Sequence, residues 1–112
     1  MNSPKRPVIA LLAAPNTSAA VLYGLYDVLF ATGAVYADMT IGAPGSELLD
    51  VRILSMDGQP FRCLGGVLVE PHAATKDLHA VDAVVVCDMY SSIFVAPSGE
   101  YDGVSEWLRK VH

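Results

Sequence analysis

Five residues carry the chemistry open to this chain: Asn16, Asp27 and the consecutive Cys87, Asp88 and Met89. Asp27 stands in the middle of a weakly polar stretch running from Ala19 to Ala37. Burial there raises a carboxyl pKa unless a donor pairs it, which suits a general acid or a pocket hydrogen-bonder. A helix carboxylate facing a loop amide or a partner subunit uses the same residue without chemistry. Cys87 becomes a reactive thiol, or a redox or electrophile sensor, only where amide dipoles stabilise its thiolate; in apolar surroundings it is a small core residue, and the Asp88 charge opposes ionisation. Asp88 itself suits a ligand cation or the cap of the following turn. Tyr90, Ser91 and Ser92 come next, as pocket lining or as loop. His72 and His79 are too far apart in sequence for a one-turn metal pair and have no third ligand nearby, so they read as solvated or capping residues and no metal is expected.

Composition narrows the classes. The chain has 112 residues, 53% of them hydrophobic and 17% charged, which excludes intrinsic disorder and favours one core-rich domain with strands buried on both faces. Twelve acidic against seven basic residues give a formal charge of −5, which argues against a nucleic-acid surface within this sequence. Ala19 to Ala37 is about as long as a membrane span, but a charge at its centre costs about 2.5 kcal/mol or more on insertion scales. It therefore reads as a buried helix, and no membrane partner is expected. Lys5 and Arg6 precede an apolar run without a signal-peptide cleavage pattern, so the expected location is cytoplasmic. Cys63 and Cys87 lack CxxC or Cys/His spacing and read as reduced thiols. The phosphate-loop, dinucleotide, nucleophile-elbow and zinc-helix signatures are missing, and no cofactor is implied.

The elements that must position those residues follow from the apolar pattern. Val8 to Ala14 reads as a central parallel strand ended by Pro15-Asn16. Val21, Leu22, Leu25, Val28 and Leu29 recur at helical spacing and predict a helix over 18–32, stopped by Gly33. Irregular chain with a short extended piece at Met39 to Ile41 comes next, then a strand over Val51 to Ser55 and a turn at Asp57-Gly58. Phe61 to Leu64 pairs with Val67 to Val69 across Gly65-Gly66, and His72 to Leu78 gives a turn of helix. Ala83 to Val86 reads as a central strand ending at Cys87-Asp88-Met89, followed by a helix from about 100 that carries Val104, Trp107, Leu108 and Val111. The order describes the front part of a flavodoxin-like, doubly wound α/β fold: a mostly parallel sheet with a small antiparallel hairpin excursion. Ligands bind beyond the carboxyl ends of such strands, which points to Asn16 and to Cys87, Asp88 and Met89. A further parallel strand is expected downstream, so residues 1–112 read as an incomplete domain.

These segments, in their order and spacing, resemble the ThiJ/PfpI branch of the class I glutamine amidotransferase-like superfamily, most closely the front domain of AraC-type transcriptional regulators. The likeness spans nearly the whole chain. It rests on Val8-Ile-Ala-Leu-Leu with Pro15-Asn16, Tyr23-Gly-Leu-Tyr-Asp-Val-Leu-Phe30, Val51-Arg-Ile-Leu-Ser-Met-Asp-Gly58, Gly65-Gly66-Val-Leu-Val-Glu-Pro71, Asp82-Ala-Val-Val-Val86 and Trp107-Leu-Arg-Lys-Val-His112. The family's nucleophilic-type cysteine sits on an elbow just after the helix that ends this sequence, and neither Cys63 nor Cys87 matches it. Val21 occupies the position where the family often has an acid that meets that cysteine, whereas Asp27 matches an acidic position further along the helix. Cys87-Asp88-Met89 replaces a common Pro-Gly-Gly whose amides form an oxyanion site.

The resemblance, with these departures, implies a ligand-sensing or dimerising domain rather than an enzyme. Its expected partners are an unidentified small molecule, a second copy in a homodimer, and DNA through a separate C-terminal helix-turn-helix domain. The alternative is a stand-alone cysteine-dependent amidase-like hydrolase or isonitrile-type hydratase.

Overall fold

The computed structural model describes residues 6–78, 80–88, 90 and 102–111. Five apolar residues, Val8–Leu12, form β1, and the chain then turns through Pro15 into helix α1, Ala19–Ala34. A short helix α2, Tyr36–Ile41, follows after Val35, and Gly42 ends it in the left-handed region at φ 67°. Strand β2 is Asp50–Ser55; β3, Phe61–Arg62, pairs antiparallel with β4, Leu68–Val69. Two residues, Ala73–Ala74, make β5 before a 3₁₀ turn at Thr75–Asp77; β6 is Ala83–Val86 and α3 is Asp102–Val111. The main sheet has the order β5-β2-β1-β6 with every neighbouring pair parallel. This is the α/β architecture the pattern predicts, with the small antiparallel excursion beside it.

β1 lies between β2 and β6, and its alternation divides the core. Leu11 packs with Ala13, Leu22, Ile53, Cys63, Val69 and Cys87, while Ala10 and Leu12 pack with Leu54, Val104 and Trp107. One cluster is covered by α1 and the hairpin, the other by α3. Trp107 also donates its indole N–H to the carbonyl of Leu78 at 3.0 Å, which ties α3 to the segment leading into β6. Asp82 fixes the other end of β1: its carboxylate accepts the Val8 N–H at 2.8 Å, and its own N–H donates to the Val8 carbonyl at 2.9 Å.

Several expectations need correction. Met39 to Ile41 is helical, because the backbone stays right-handed at Val35 and only Gly42 releases it. Gly33 does not stop α1. It is buried where Ser46 crosses the helix, its carbonyl accepts the Ser46 N–H at 3.0 Å, and a Cβ on it would run into the Ser46 carbonyl. The helix read as buried exposes one face, with Val28 66% accessible, since it packs on the sheet from one side only. Among the described residues β6 is an edge strand, paired with β1 alone and with Val86 49% accessible. β5 was not legible in the pattern. His72, read as solvated or capping, is exposed and closes the ladder: its Nδ1 accepts the Ile53 N–H at 2.8 Å while its own N–H donates to the Ile53 carbonyl at 2.8 Å. No described helix is long and apolar enough to cross a membrane.

Glycine in a helix interior ordinarily costs up to about 1 kcal/mol relative to alanine. At Gly33 the sign reverses, because the added methyl meets backbone rather than solvent. Gly33→Ala is expected to lower unfolding stability by about 1–3 kcal/mol, read by urea titration. Gly24 has open space around it, and Gly24→Ala is expected to raise stability by ~0.5–1 kcal/mol in the same assay.

Candidate functional site

The carboxyl ends of β1 and β6 are adjacent because the two strands pair in register from Ile9↔Ala83 to Leu12↔Val86. The chain leaving β1 turns at once: the Thr17 N–H donates to the Ala14 carbonyl at 2.9 Å, and the Ala14 N–H donates to Thr17 Oγ1 at 3.0 Å. This reciprocal pair satisfies a fully buried threonine and aims the next residues into α1. The Thr17 carbonyl then accepts the Leu64 N–H at 3.0 Å, so the β3–β4 hairpin docks on the same turn. Thr17 was missed from sequence, although the run Pro15-Asn-Thr-Ser18 is rich in residues that bond their own backbone.

Asn16 and Asp88, picked out as ligand contacts, join the two strand ends to each other. The Tyr90 N–H donates to the Asn16 carbonyl at 2.9 Å, and Asn16 Nδ2 donates to the Tyr90 carbonyl at 2.6 Å. The second bond fixes the amide orientation and leaves Asn16 Oδ1 buried, with no partner among the described residues. Asp88 Oδ1 accepts the Ser18 N–H at 3.3 Å, which sets a carboxylate at the N-terminus of α1 where the helix dipole favours it. Ser18 adopts the extended conformation of a cap but makes no side-chain capping bond, so Asp88 supplies from β6 what the local sequence does not.

Cys87 lies between these contacts and faces the core. It is 2% accessible, packs in the α1-side cluster, and donates its backbone N–H to the Leu12 carbonyl at 3.2 Å. Burial pushes its thiol pKa up, and the Asp88 charge adds to the effect. Asp27 is elsewhere: it is exposed on the outer face of α1, away from the strand ends. The fold thus brings Asn16, Cys87 and Asp88 together and leaves Asp27 apart; Met89, Ser91 and Ser92 lie outside the described residues. Chemically, the described strand ends offer one buried amide acceptor and a carboxylate committed to a helix terminus. They present no accessible nucleophile.

A thiol whose native pKa is raised holds its proton more tightly when folded. Its contribution to stability is complete below the unfolded thiol value of ~8.5 and is lost as pH rises through the native value. Unfolding stability is therefore expected to fall as pH is raised above ~8.5, with a smaller slope in Cys87→Ala. Labelling of Cys87 by an aromatic disulfide should be slow in the native chain and become fast on addition of denaturant.

No family model matches this sequence, and no curated protein matches it significantly. Among solved structures, the fold is similar to a "putative transcriptional regulator protein" from Vibrio parahaemolyticus, with TM-score 0.67 and 16% identity over 96% of this chain and 52% of that one. It is also similar to a DJ-1 superfamily protein from Agrobacterium tumefaciens, with TM-score 0.54 and 18% identity over 92% of this chain and 48% of that one. The chain thus spans about half the length of the structures it matches. At these identities the likeness establishes the fold: a mostly parallel α/β sheet of the kind found in a DJ-1 superfamily protein and in the Vibrio protein.

Proposed function

We propose that this chain is a ThiJ/PfpI-like regulatory domain that senses a small molecule or holds a dimer together, in a transcriptional regulator of the AraC type. The carrying observation is the state of the strand ends. At the described strand ends stand a buried protonated thiol and a carboxylate committed to α1, in place of the Pro-Gly-Gly whose amides the resemblance associates with an oxyanion site. The buried Asn16 Oδ1, without a partner among the described residues, is an acceptor suited to a ligand donor. The likeness to the Vibrio protein supports the regulator reading through the fold, and the formal charge of −5 is compatible with DNA contact made by a separate C-terminal segment. Exposed apolar residues along α1 and α2, among them Val28, Tyr36 and Met39, suit the dimerising role.

The test uses the protein as its gene encodes it, beside residues 1–112 alone, in repeated rounds of selection from random duplex DNA. Enrichment of a sequence by the gene product and not by 1–112 is the expected outcome. Failure of the gene product to enrich any sequence, together with turnover of an amide or isonitrile substrate that alkylation abolishes, would establish the enzyme alternative instead.

A further inference from the structure

A concavity lies between α1 and the outer side of β2, away from β6. It has a volume of about 400 Å³, within the range of small-molecule sites, and is lined by Tyr26, Phe30, Asp50, Val51, Arg52 and His72 among others. Three flat rings form one wall. Phe30 and Tyr26, one helical turn apart, stack with centroids 6.3 Å apart and planes 7° from parallel, and Tyr26 stacks on His72 at 5.7 Å and 22°.

The polar groups are arranged by the sheet. Along β2, Asp50 and Leu54 bond to the β1 side, with the Asp50 N–H on the Pro7 carbonyl and the Leu54 carbonyl accepting from Ala13. Alternation therefore turns Val51 and Ile53 to the other side. Ile53 is satisfied by His72, but β5 pairs only with Leu54 and Ser55, so the ladder ends above Val51. One residue thus directs an N–H donor and a C=O acceptor, side by side, toward the cavity. Because His72 Nδ1 accepts from Ile53, the proton of the neutral ring is on Nε2, a further donor of fixed identity. The lining charges are already matched. Arg52 donates to both carboxylate oxygens of Asp50, at 3.1 and 2.9 Å, and Glu47 pairs with Arg6. The hydrogen bonds from Arg52 hold the Asp50 carboxyl below its usual range, so the pair stays ionised and internally neutral at physiological pH.

We infer that this cavity binds a flat, uncharged heteroaromatic molecule with a lactam edge, stacked along Phe30, Tyr26 and His72 and paired through that edge with the Val51 N–H and C=O. A lactam carries an acceptor and a donor side by side, which matches the pair one strand residue offers. A charged ligand finds no unmatched partner among Asp50, Arg52 and Glu47. The site is two strands away from β6 and separate from the strand-end junction, so it stands independently of the regulator reading.

The test is titration of the protein as its gene encodes it with hypoxanthine, which has the lactam edge, and with indole, which is flat without it, followed by ligand-observed NMR. Hypoxanthine is expected to saturate with Kd near or below about 1 mM, and indole to bind about tenfold more weakly or not at all. Phe30→Ala, at a half-exposed ring on the helix surface, should weaken hypoxanthine about tenfold with the unfolding midpoint little changed, and Tyr26→Ala should weaken it at least as much. The proposal is overturned by the absence of saturable hypoxanthine binding. It is equally overturned by indole binding as tightly, or by affinity that neither substitution alters in a folded chain.

Discussion

Everything in this domain depends on β1 being buried on both faces and bonded on both edges. Ala10, Leu11 and Leu12 are essentially inaccessible, β2 and β6 flank the strand in parallel, and the two core clusters meet through it. A strand with no polar face cannot slip its register without exposing one cluster or the other. That constraint fixes where its ends fall, and the ends fix what surrounds them. Asp82 clamps the beginning to β6, while the Ala14–Thr17 turn directs the exit into α1.

The described contacts at the strand ends then follow from that register. With β1 and β6 in register, Asn16 meets Tyr90 and Asp88 meets the start of α1, each contact spanning some seventy residues of sequence. The bonds join a central strand, a neighbouring strand and a helix N-terminus at the place where open α/β sheets bind ligands. Cys87 is drawn into the core by the same geometry, since its N–H continues the ladder on Leu12. A thiol held there is a packing group. The functional character of the described strand ends is thus a closed, hydrogen-bonded junction with one amide oxygen to spare.

Much of the architecture was legible in the sequence. The apolar runs at Val8, Val51 and Ala83 are short, β-branched and bounded by turn residues, and all three became parallel strands. Val104, Trp107, Leu108 and Val111 at helical spacing became the buried face of α3. What could not be read was anything decided by contact at a distance. Gly33 resembles a helix stop until the loop that crosses it is known, and a two-residue strand such as β5 has no period to detect. α1 is apolar on nearly every side, so its sequence does not tell which face is outward, and Asp27 was assigned a buried setting it does not have. His72 acts as a backbone acceptor, a role that no spacing rule announces. Asn16 and Asp88 follow the ends of β1 and β6, and their hydrogen-bond partners lie across the fold, where no sequence pattern shows them.

The most direct measurement is native-state amide hydrogen exchange at Ser18, Cys87 and Tyr90, compared with Leu11 and Leu12 in β1. If the junction is part of the same cooperative unit as the central strand, these amides are protected and open with nearly the same free energy as the core. Exchange at Ser18 and Tyr90 close to the unprotected rate, with β1 still protected, would contradict the account. It would show an open strand-end cleft whose residues are free to engage a substrate.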